Sequence, residues 1–150
     1  MTDKIDFYIL KSAAERQRLT IACRLAEKAY LRDMRVIVLS ESAAEAQFLD
    51  DLLWTFNDRS FVPHQYCRNA DAGEADTPVH LTLTLDAVER ADLLINLSAR
   101  LPDGLERFAR IAEIIDADPQ RRRLGRERFK SYRDHELPLQ THHLDDSADI

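Results

Sequence analysis

The sequence predicts a single α/β domain, a mostly parallel sheet flanked by helices. Short runs such as "VIVL" at 36–39 are apolar at consecutive positions, as strands buried on both faces of a parallel sheet are. Between such runs lie longer segments whose apolar residues recur at helical spacing. The chain has 150 residues, 45% of them hydrophobic and 32% charged, enough for one core and too few for a second lobe. Residues 1–144 are expected to form the domain, and 145–150, "DDSADI", to be a disordered acidic tail.

Each element follows from its residues. "IDFYIL" at 5–10 is β-branched and aromatic, a buried first strand. A helix from Ser12 to about Asp33 carries Leu19, Ala22, Cys23, Ala26 and Tyr30 on one face, with Ser12 and Glu15 as a capping box. "MRVIVLS" is the second strand, and Ser40 or Ser42 caps a helix over about Ala43 to Phe56. From Asn57 to Pro78, polar residues, Asp, Ala and Gly dominate without an apolar period, which reads as an exposed loop. "VHLTLTL" alternates as a half-buried strand does, "ADLLINLS" reads as a fully buried one, and "FARIAEIID" fits either strand or helix, with a strand ending near Asp116 favoured. Asp118 and Pro119 then supply an N-cap and a first-turn proline for a helix to about Arg133. From Asp134 onward five acidic residues and no Lys or Arg form a polar tail. The order is that of strands alternating with helices in one layered sheet.

Composition excludes several chemistries. Three glycines in the whole chain, and none in the first strand-to-helix turn "ILKSAAE", leave no loop able to cradle a phosphate, so no nucleotide cofactor is expected. His64, His80, His135, His142 and His143 do not form a metal-ligand set; His142 and His143 read as exposed tail residues and His80 as a strand surface residue. Cys23 lies on the apolar face of a helix and Cys67 sits in a loop; both are expected to be reduced, and no catalytic constellation accompanies either. Without an apolar leader or an 18-residue apolar run, the reading is a cytoplasmic protein with no membrane partner.

Two features remain. "PQRRRLGRERFKSYR" holds seven of the 21 basic residues in 15 positions, opposed only by Glu127. On a helix, Arg122, Arg126, Phe129, Lys130 and Arg133 form one stripe of four cations around an exposed ring, with Leu124 and Tyr132 toward the core. Such a stripe suits an acidic peptide with a hydrophobic end, or single-stranded nucleic acid whose bases stack while phosphates meet arginine. The alternative is a basic helix face that simply meets water. The second feature is the cluster Trp54, Phe56, Phe61, Val62, Pro63 and His64, where a helix end runs into a proline that no central strand accommodates. It reads either as the cover of one end of the core or as a partner-binding patch, for which Trp and Phe are the favoured anchors.

At these two places, in "SFVPH" and above all "RERFKSYR", and also through "FYIL" and "DDLLW", the chain resembles the chi subunits of bacterial DNA polymerase III holoenzymes. The resemblance runs over nearly the whole chain. It implies a small α/β protein without catalytic activity, which joins the psi subunit of the clamp loader to the acidic C-terminal tail of single-stranded DNA-binding protein. By matching motif it places that tail on Arg126, Phe129 and Lys130, with Arg122 one turn earlier and Arg133 completing the stripe. It places psi against Trp54 and Phe61, with Val62, Pro63 and His64 as neighbours. The family often has Tyr where Phe129 stands, so a phenolic hydroxyl is missing while the ring face is kept. The implied function is a DNA-replication adaptor whose contact with nucleic acid is mainly indirect; the alternative is direct single-strand binding by the basic helix. The net charge of −6 favours the peptide, since surrounding carboxylates repel a long phosphate chain more than a short docked tail.

Overall fold

Seven strands, all parallel, join into one sheet in the computed structural model, which describes residues 2–56, 62–67 and 77–144. In chain order the elements are β1 (Lys4–Leu10), α1 (Glu15–Tyr30), β2 (Val36–Leu39), α2 (Ala43–Thr55), β3 (His64–Cys67), β4 (Val79–Thr82), β5 (Ala91–Asn96), β6 (Phe108–Ile115), α3 (Pro119–Asp134) and β7 (Leu139–Leu144). Across the sheet the order is β3-β4-β2-β5-β6-β1-β7, so β3 and β7 are the edges.

Alternation along the strands sorts the core into two layers. On one face Val36, Val38, Ile95 and Ile114 meet Leu19, Cys23 and Ala26 of α1 and Leu49 and Leu53 of α2. Cys23 is 1% exposed there, and burial pushes its thiol up to about 12, which keeps it protonated and inert. On the other face Ile5, Phe7, Ile37, Leu94 and Ile111 are covered by Tyr132 and Phe129 of α3 and by loop residues Leu85, Val88 and Leu105. Neither connection β4–β5 nor β5–β6 supplies an α-helix to that second face. Arg107 does part of the fastening instead: its guanidinium donates to the carbonyls of Leu85, Val88, Asp103 and Gly104 at 2.7–3.0 Å. Gly104 permits the turn, standing at φ 64°, a backbone conformation costly to a residue with a Cβ.

Several local expectations are corrected. The 57–78 stretch is not simply a loop, because β3 pairs with β4 in parallel over His64–Cys67; Pro63 precedes the strand, and β3 is an edge, which is where proline is tolerated. Cys67 accordingly closes a strand. β4 is buried at all four positions rather than half-buried, and His80 is 2% exposed in it, not a surface residue. The polar tail contains β7, paired with β1, and His142 is half-buried, stacked on Tyr8 at 4.9 Å with Nε2 2.9 Å from Asp6. α1 starts at Glu15 with Ala14 as an N-cap that lends no side chain; the Ser12 hydroxyl accepts instead from the Ala14 N–H. Ser42 caps α2 as expected, accepting from the Glu45 N–H at 3.1 Å.

Candidate functional site

The basic segment is helical as its sequence implies, and its start is fixed by the expected pair. Pro119 lies in the first turn, and the Asp118 carboxylate accepts from the Arg121 N–H at 2.9 Å. Gly125 lets α3 approach β6: a Cβ there would stand 2.7 Å from Ile115 Cδ1. The close approach shapes a groove of about 270 Å³ between α3 and the last strand. Phe7, Ile9 and Ile115 form its floor, Arg122, Arg126 and Phe129 one wall, and Thr141 and His143 of β7 the other.

Of the five residues of the stripe, Arg122, Arg126 and Phe129 line this groove. Arg122 is anchored, donating from Nε to the Asp116 carbonyl and from Nη2 to the Leu10 carbonyl, each at 3.2 Å. Arg126 is exposed. Phe129 is not the exposed ring that the helical wheel suggested; it is half-buried and packs edge-on with Phe7, ring centroids 5.1 Å apart. Lys130 and Arg133 are exposed farther along the helix and do not line the groove.

The seven cations of the segment are not equivalent. Arg121 pairs with Asp116 at 2.8 Å and Arg128 with Glu113 at 3.1 Å, so two of them are matched by carboxylates outside the helix. Arg128 is 6% exposed and also donates to the Ala99 carbonyl at 3.0 Å. Glu113, fully buried on β6, accepts from Arg128, from Asn96 at 2.9 Å and from the Tyr132 hydroxyl at 2.7 Å. Burial pushes the Glu113 carboxyl up, against the pull of Arg128 and of the Asn96 and Tyr132 donors. Burial, and then Glu113 itself, push the Tyr132 phenol up as well. This network clamps the helix to the sheet behind the groove. Sequence reasoning missed it; the available signal was one glutamate inside the apolar run "FARIAEII".

The aromatic cluster divides differently. Trp54 is 52% exposed at the end of α2, its ring 4.6 Å from the imidazole of His64. His64 is held beneath it, Nδ1 2.7 Å from the Val62 carbonyl and Nε2 3.1 Å from both the backbone carbonyl and the carboxylate of Asp50. Val62 is fully buried in the core, and Pro63 is half-buried. Phe61 lies outside the described residues. Phe48 of α2, 42% exposed, is a further apolar surface residue that the sequence reading did not single out.

Among the described residues no three or more His, Cys, Asp or Glu side chains gather as metal ligands would, and no helix is long and apolar enough to cross a membrane. Fold and site together define a parallel α/β domain with a groove beside its last helix, walled on one side by two arginines. The fold is shared with the crystal structure of T4 UvsW, TM-score 0.67 at 12% identity over 97% of this chain, and with S. cerevisiae dbp5, TM-score 0.63 at 9% identity over 96%. This chain spans 42% of each of those chains, and the likeness is one of fold. In sequence it is 38% identical to DNA polymerase III subunit chi of Pseudomonas aeruginosa over 141 residues, covering 94% of this chain and 96% of that one. It is 32% identical to the subunit chi of Haemophilus influenzae, with 89% and 92% covered, and 29% identical to that of Escherichia coli, with 75% and 76% covered. The family described as DNA polymerase III chi subunit, HolC, matches residues 1–140, and the chain belongs to this family: it is a chi-type accessory subunit of the replicative polymerase.

Proposed function

We propose that this chain is a non-catalytic adaptor of the clamp loader, binding the acidic C-terminal tail of single-stranded DNA-binding protein in the α3 groove and the psi subunit at the Trp54 end of α2. The observation that carries the first half is the groove itself, with an apolar floor and two arginines along one wall. An acidic peptide ending in an apolar residue matches both, and a terminal carboxylate matches a guanidinium fork. Direct binding of single strands fits less well. Phe129 is packed against Phe7 instead of standing free as a stacking platform, two cations of the segment are already paired, and the chain carries −6 overall.

Two measurements test the reading. A labelled peptide of acidic residues with a terminal aromatic should bind in fluorescence anisotropy, and its amidated or shuffled version should bind much less. Equal binding of the amidated peptide removes the carboxylate clamp. Trp54→Ala or Phe61→Ala should weaken psi binding by about 30-fold to 1000-fold, since truncating an interface anchor typically costs about 2 to 4 kcal/mol. The exposure of Trp54 means the fold should survive that substitution. Unchanged psi binding in both variants, read by calorimetry, would make the aromatics simple core cover.

A further inference from the structure

The groove has a candidate occupant within its own chain. β7 forms one wall and ends at Leu144, and the next residues are Asp145, Asp146, Ser147, Ala148, Asp149 and Ile150, with three carboxylates and no Lys or Arg. These residues lie beyond the stretch 1–140 that the family shares. We propose that the segment 145–150 docks in the α3 groove of its own chain and competes with an acidic peptide for it. This rests on the reading of the groove as an acidic-peptide site.

Position and charge both support it. Leu144 pairs with Leu10, and the Leu10 carbonyl accepts from Arg122 Nη2 at 3.2 Å, so the acidic segment starts level with the first arginine of the wall. Arg126 lies one helical turn farther, about 6 Å. Six residues span up to about 20 Å when extended, enough to reverse beside Arg122 and reach Arg126. Asp and Ser are residue types that favour such a reversal. The carboxylates then face Arg122 and Arg126, and Ile150, the one large apolar side chain of the segment, suits the floor of Phe7, Ile9 and Ile115. A tethered segment acts at an effective concentration on the order of millimolar, so weak contacts suffice to occupy the groove part of the time. A stronger peptide still displaces it.

The test compares the full-length chain with a full-length variant carrying Asp145→Asn, Asp146→Asn and Asp149→Asn, which leaves β7 and the core untouched. The probe is a labelled peptide of four aspartates and one phenylalanine with a free carboxylate, titrated by anisotropy. At low salt the variant should bind it about threefold to tenfold more tightly, and the gap should close as ionic strength rises. In the unliganded wild type, amide signals of Arg126 and Phe129 should differ from those of the variant by NMR. Equal affinities for the two chains overturn the proposal and leave the groove reading standing. A gap that grows with protein concentration overturns it too, by giving the segment to a neighbouring molecule. Failure of both chains to bind the peptide removes the groove reading and this proposal with it.

Discussion

Glu113 shows how one side chain behind the site ties charge to stability. It is fully buried, yet three donors from one strand and one helix converge on it: Asn96 of β5, and Arg128 and Tyr132 of α3. Desolvation outweighs their pull and raises its carboxyl above the ordinary value of about 4.3 that the unfolded chain retains. Between those two values the native state holds a proton that the unfolded state has released. The stability from this proton is therefore fully present below the unfolded value and is lost as pH rises through the folded one. The stability difference between wild type and Glu113→Gln should accordingly shift against the wild type as pH climbs through that window, read from urea midpoints. Parallel pH curves for the two proteins would show that Glu113 keeps its unfolded-state titration.

At the scale of elements, the groove depends on how closely α3 lies on β6, and Gly125 sets that approach. Gly125→Ala gains about 1 kcal/mol of helix propensity. Its new methyl would stand 2.7 Å from Ile115 Cδ1, the end of a side chain that lines the groove. If Ile115 turns away, it turns into the binding space. Overall stability should stay within about 1 kcal/mol of wild type while peptide affinity falls severalfold; undiminished affinity would mean that groove depth does not matter. The helix itself was legible, down to its Asp118 cap and Pro119, because capping chemistry is local. So were β1, β2 and β5, whose apolar runs announce burial, whereas "FARIAEIID" fits strand or helix by pattern and forms β6. What escaped the sequence depended on partners far along the chain. β3 and β7 are polar edge strands made by pairing to one neighbour, not by their own hydrophobicity. Alternation in "VHLTLTL" suggested a wet face that helices, loops and flanking strands in fact cover, burying His80. In the basic run nothing local separates Arg128, buried on Glu113, from Arg126, exposed in the groove wall. Of the described residues in the aromatic cluster, Trp54 stands exposed while Val62 belongs to the core, a difference that composition does not encode.

For the whole molecule the decisive feature is where the two surfaces stand on the sheet. α2, with Trp54, packs on the face it shares with α1, next to β3 and β4 at one edge; α3 packs on the opposite face, with its groove over β6, β1 and β7. Five strand spacings separate β3 from β1, about 24 Å at the usual spacing between neighbours. A rigid parallel sheet lies between them, and no side chain named in one surface takes part in the other. The proposed adaptor role would gain from that separation, because two partners held at once must not compete. Occupancy of the Trp54 surface by psi should therefore leave the affinity of the groove for an acidic peptide within about twofold, since sites without shared contacts add independently. By the same argument Trp54→Ala should not affect peptide binding, and Arg126→Ala should weaken peptide binding without touching psi. Titrating the peptide into the free subunit and into its complex with psi checks all of this in one calorimetric series. A shift of tenfold or more between the two titrations would show that the sheet couples the surfaces, and the picture of two independent docking sites would fail.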